Sequence, residues 1–151
     1  MNANDPSPTF VDTNILVYAF APDDPQRAPI AQALIDQLMA DKSLRTSTQV
    51  IQEFYVTVTR RIRGAMPSAL ARDCVDQIAQ WPVVVNDCDM IRDAIDLSVA
   101  HRVSFWDALI VVAASRARAV RLYTEDMQHG RKILGVEIVN PFRGSVSAKT
   151  D

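Results

Sequence analysis

The chain has 151 residues, the size of one domain. Hydrophobic residues make up 48%, charged residues 23%, and the formal net charge is −2. That balance excludes a disordered tail protein, a collagen, a coiled-coil rod and a strongly basic nucleic-acid coat protein.

Residues 1–8, MNANDPSP, read as a flexible leader, polar and without the cationic, apolar pattern of a signal peptide. A single domain is expected over 9–143, with a flexible tail over 144–151. Thr9–Asp12 reads as a short strand ending in an acid, and Asn14–Phe20 as a first helical turn or two. Asp24 followed by Pro25 starts a helix, in which Ile30, Leu34 and Leu38 recur every four residues. Leu44–Ser47 is a further short strand.

Val50, Ile51, Phe54, Tyr55, Val58 and Ile62 then follow helical spacing, and Gly64 ends that helix. Leu70, Cys74, Ile78 and Trp81 form the next stripe, stopped by Pro82. Val83–Asn86 is expected to be a buried strand, and Ile91, Ile95 and Val99 mark another helix. Trp106–Ala117 is a strongly apolar helix; Trp106 could stack on a base, and packing beneath the helix start is the favoured reading. Val120–Thr124 and Val136–Val139 are the last strands. Cys74 and Cys88 match no zinc spacing and read as small core residues in a reducing cytosol. The longest apolar run, Ala108–Ala114, is far below the roughly 20 residues of a membrane span. A cytoplasmic protein with no membrane partner is expected.

Strand–helix alternation of this kind implies an α/β fold around a mostly parallel sheet. In such sheets sites lie beyond the carboxyl ends of the strands. Four acids stand at or near such places. Asp12 ends the first strand and also suits an N-cap. Glu53 lies at the edge of a buried helix face, and its i±4 neighbours Gln49 and Thr57 offer no cation. Asp107 sits in the first turn of the apolar helix, where Ser104 and Asp107 resemble a capping box. Asp126 follows the LYT strand, and Glu125 beside it is an alternative. Converging carboxylates repel and raise one another's pKa unless cations intervene. Mg²⁺ or Mn²⁺ removes that penalty and suits phosphodiester hydrolysis.

The order FVDTNILVYAF, QVIQEFYVTVTRR, SFWDALIVVAAS, LYTEDMQHG and EIVNPF resembles PIN-domain ribonucleases of the VapC type, toxins of prokaryotic toxin–antitoxin pairs. The resemblance implies a three-layer α/β/α sandwich and carries the family's acidic quartet onto Asp12, Glu53, Asp107 and Asp126. The family's T-x-D pattern favours Asp126 over Glu125, with Thr124 and Asn14 in support. It further implies Mg²⁺-dependent endonucleolytic cleavage of RNA. In that reading Asp12 and Asp107 are direct ligands, and Glu53 and Asp126 complete the shell and orient water. A homodimer and a small antitoxin partner are implied as well.

Rival readings are weaker on the residues. A haloacid-dehalogenase-like phosphatase needs D-x-D, whereas this chain has Asp12-Thr13-Asn14. The paired acids and late-strand lysine of a response-regulator receiver are not evident. A metal-free ribonuclease would depend on His101 and His129. A catalytically silent RNA-binding or interaction module would use Arg60, Arg61 and Arg63, with Arg116, Arg118 and Arg121, against phosphates. Those arginines also suit helix C-termini.

Overall fold

The computed structural model describes residues 6–144. Most of the expected leader and tail therefore lies outside the described residues. In chain order the elements are β1 (Thr9–Val11), α1 (Thr13–Phe20), α2 (Arg27–Ala40), β2 (Leu44–Ser47), α3 (Thr48–Arg60) and α4 (Ser68–Ile78). They continue with β3 (Val83–Val84), α5 (Cys88–His101), α6 (Phe105–Arg116), β4 (Arg121–Tyr123), β5 (Lys132–Ile133) and β6 (Val136–Val139).

The sheet order is β3-β2-β1-β4-β6-β5. All pairings are parallel except β5 with β6. From β1 the chain builds outward through β2 to β3, then crosses back to β4 and builds the other way. β1 and β4 are thus adjacent strands whose connections diverge, the arrangement that opens a crevice at their carboxyl ends. Thr9, Phe10 and Val11 are all buried, as a central parallel strand requires.

Side-chain caps fix where the helices begin. Asp24 accepts from the Gln26 and Arg27 N–H groups (2.9 Å each), and its carbonyl from Ala28 N–H, so it starts the α2 coil as expected. Ser47, Asp87 and Ser104 cap α3, α5 and α6 through Val50, Met90 and Asp107 N–H. α6 lies across β2, β4 and β6, and α5 packs on α6. Every residue of Ala108–Ala114 is buried, which explains a helix apolar all round. No single helix among the described residues is long and apolar enough to cross a membrane; α5 and α6 together meet that composition but bend by 116°.

Several expected buried faces are corrected. α5 buries Met90, Ala94 and Leu97, whereas Ile91, Ile95 and Val99 are 40%, 50% and 77% exposed. α3 ends at Arg60, so Ile62 falls outside it and is fully exposed. α4 buries Ala71 rather than Leu70. β3 is a two-residue edge strand that leaves Val85 in solvent. Cys88 is exposed, not a core residue, whereas Cys74 is half-buried and packs against the core.

Candidate active site

Asp12 leaves β1 at the crevice. Its N–H donates to the Tyr123 carbonyl (3.0 Å), tying the ends of β1 and β4 together. Its Oδ1 accepts from Thr13 N–H at 2.7 Å, so the expected N-cap role is real. Its Oδ2 accepts from the Thr124 hydroxyl at 2.8 Å. Asp12 is only 5% exposed. Burial is the main force pushing its pKa up to about 7; the bonds from Thr13 and Thr124 oppose the rise, and the charges of Asp126 and Glu53 add to it.

The Thr124 hydroxyl joins both strand ends. It donates to Asp12 and accepts from Asn14 Nδ2 (3.3 Å) and Asp126 N–H (3.1 Å). Asn14 Nδ2 also donates to Asp126 Oδ2 at 2.9 Å, which turns Asp126 toward α1. Glu53 reaches the same place from α3. Its Oε2 accepts from the Thr13 hydroxyl (2.8 Å) and its Oε1 from Gln49 Nε2 (2.9 Å). Its partners are therefore the Thr13 hydroxyl, distant in sequence, and the Gln49 amide one helical turn before it, not an arginine. Thr13 and Gln49 are the site residues that sequence reasoning misses. The signals were present: a hydroxyl directly after the strand-end acid, and an amide one helical turn before Glu53.

Asp107 stands in the first turn of α6, half-buried, its N–H donating to Ser104 Oγ (3.1 Å). Burial raises its pKa, the Ser104 hydroxyl opposes this, and the charges of Asp126 and Glu53 add to the rise. Asp107 thus joins the other acids through their common field. Glu53 and Asp126 line a cleft of about 440 Å³ with Thr13, Asn14 and Arg61. Arg61 turns its guanidinium on the Ala21 carbonyl and Asp23 instead of neutralising these acids.

Glu125 is held elsewhere. It accepts from the Tyr18 hydroxyl and from Arg27 Nε (3.0 Å), and Arg27 also pairs with Asp24 and lies over the Tyr18 and Phe142 rings. Burial and then the bond to Glu125 push the Tyr18 pKa upward. Glu125 is therefore a brace between the β4 loop and α1–α2, which leaves Asp126 as the fourth acid of the crevice. Glu125→Gln is expected to lower the unfolding free energy by about 1–3 kcal/mol, read by urea denaturation. A midpoint unchanged from the parent would contradict the brace.

A parallel α/β sheet with four carboxylates around its switch point defines the class of protein. The pattern of the PIN domain family matches residues 9–132, and the chain belongs to that family. A comparison with curated proteins gave no match. Among solved structures, a toxin–antitoxin complex from Klebsiella pneumoniae is similar at TM-score 0.66 and 18% identity, covering 88% of this chain and 97% of that one. VapC20 of Mycobacterium tuberculosis, a sarcin-ricin loop cleaving toxin, is similar at TM-score 0.61 and 22% identity over 78% and 89%. VapBC2 of Rickettsia felis, bound to a promoter DNA fragment, gives 0.62 and 15% over 86% and 96%.

Proposed function

We propose that this chain is a divalent-metal-dependent endoribonuclease, the toxin of a type II toxin–antitoxin pair acting in the cytoplasm. One observation carries the reading: acids far apart in sequence share a crevice where buried Asp12 is pushed up to about 7. Membership of the PIN domain family and the likeness to toxin structures support it.

The donor set is all oxygen, which suits Mg²⁺ or Mn²⁺ rather than a softer ion. Among the described residues no group of three or more His, Cys, Asp or Glu side chains is gathered tightly enough to hold an ion in this conformation. Binding therefore requires these carboxylates to draw closer together than they stand here. Asp12 and Asp107 would be direct ligands, with Glu53 and Asp126 completing the shell directly or through water. A divalent ion bound there supplies positive charge against the phosphodiester transition state and acidifies water. The protein's part is positioning. Thr13 N–H and Thr124 fix the Asp12 rotamer, Thr13 Oγ1 and Gln49 aim Glu53 at an attacking water, and Asn14 aims Asp126.

The likeness to complexes with antitoxins supports a small protein partner that blocks the crevice. The exposed Ile91, Ile95 and Val99 give α5 an apolar face, which supports a homodimer. A sedimentation mass of one chain would contradict the homodimer.

Incubation with total RNA, with and without Mg²⁺, followed by mapping of cut ends tests the enzyme. Discrete cuts that need the ion are expected. Cleavage that persists in EDTA would point instead to His101 or His129. The structure gives His129 a structural bond, its Nδ1 accepting from Asn140 N–H at 3.0 Å.

A further inference from the structure

Trp106 precedes Asp107 in the first turn of α6 and is 62% exposed, contrary to the packed position its apolar character suggested. Phe105 braces the indole edge-on, with ring centroids 5.1 Å apart at 69°. The Trp106 carbonyl accepts from Gln49 Nε2 at 3.3 Å, the same nitrogen that donates to Glu53. The indole therefore stands on the backbone and amide network that aims an acid of the crevice. It walls a shallow cleft of about 430 Å³ with Gln49, Gln52, Glu53, Val56 and Thr57. Glu53 and Thr57 also line the acidic cleft, so the two hollows adjoin across this pair of side chains.

We propose that Trp106 is a stacking platform for an unpaired base of the RNA strand, placed beside the phosphate to be cut. This rests on the ribonuclease reading above. Leaving so large an aromatic in water forgoes its burial energy, which a stacked base restores. A strand whose phosphate lies at the carboxylates carries the adjoining base, one sugar away, toward this second hollow. Every base has a face to stack, so the platform holds a single strand without reading its sequence. The exposed Gln52 amide at the same wall can bond a base edge.

The test uses the full-length Asp12→Asn protein, which binds without cutting, and follows tryptophan fluorescence in Mg²⁺ buffer. Titration with a 12-nucleotide single-stranded RNA should quench the signal, and an abasic strand of equal length should not. Trp106→Ala should weaken binding about 10-fold and abolish the quench, and Trp106→Tyr should restore most of the affinity. In the cleaving protein, Trp106→Ala should raise KM for short RNA and leave kcat within a few-fold. Equal quenching by the abasic strand, or affinity unchanged in Trp106→Ala, overturns the platform. So does quenching by a purified antitoxin alone, with none by RNA. Cleavage that proceeds normally in Trp106→Ala removes the platform and leaves the enzyme. Stacking with no cleavage under any metal removes the enzyme and leaves the platform.

Discussion

Asp12→Asn is expected to lower Mg²⁺-dependent RNA cleavage by about 10³-fold or more, on the order of 4 kcal/mol of transition-state stabilisation. The fold should survive the change. Asn is as good an N-cap as Asp, and its carbonyl can still accept from Thr13 N–H. The new amide nitrogen meets a Thr124 hydroxyl that already accepts from Asn14 Nδ2 and Asp126 N–H, so one of those two bonds must yield to it while the Thr13 cap holds. Removing a buried carboxyl whose ionisation is opposed by burial and by Asp126 and Glu53 should hold or raise the melting temperature of the metal-free protein near pH 8. Lost activity with unreduced stability separates a chemical role from a folding defect. A purely RNA-binding module would keep its whole effect in this variant, and cleavage within tenfold of the parent would contradict the assignment of Asp12.

Stability of the metal-free protein is expected to fall as pH rises from about 4 to above 7. Asp12 has its ordinary value of 3.8 when unfolded and about 7 in the fold. The folded chain therefore holds this proton more tightly than the unfolded chain. The resulting stability is complete below the unfolded value and is lost as pH rises through the folded one. A shift of about three units corresponds to on the order of 4 kcal/mol. Asp107 shifts in the same direction. Mg²⁺ should oppose the loss, adding about 3 kcal/mol at a hundred times its dissociation constant. Urea unfolding between pH 5 and 8, in EDTA and in Mg²⁺, reads both effects. A pH-independent midpoint in EDTA would show that Asp12 is not the strained acid described here.

The parts of the fold legible in the sequence are those written in local chemistry. Asp12, Asp24 and Ser104 read as capping residues, and each sits at a helix start in the structure, whereas the Ser47 cap of α3 was read as a strand end. What misled was the choice between two stripes on one helix. In α5, Ile91, Ile95 and Val99 outrank Met90, Ala94 and Leu97 in hydrophobicity, yet the smaller set packs on α6. Which stripe turns inward is set by the neighbouring helix and is absent from periodicity. β3 read as buried because three valines precede Asn86, but its place at the sheet edge is decided by topology. β5 has only two residues, held by a tight Leu134–Gly135 turn with both φ angles positive, too short to leave a pattern.

The acids were legible because strand ends and helix starts are where such folds do chemistry. Of their supports, Thr124 and Asn14 came with the resemblance, but Thr13 did not: it bonds Glu53 across 40 positions, a contact that only the fold creates. Glu125 and Asp126 are adjacent and alike in type. The T-x-D pattern favours Asp126, and the structure adds the physical reason: the Tyr18–Arg27 brace holds one and the Asn14 amide the other.

The central claim is that Asp12 and Asp107 together grip a divalent ion. Anomalous diffraction from crystals soaked in Mn²⁺ tests it most directly. A manganese peak between these two side chains, with Glu53 and Asp126 turned toward it, is the predicted result. Fully ordered carboxylates with no peak between them would contradict it.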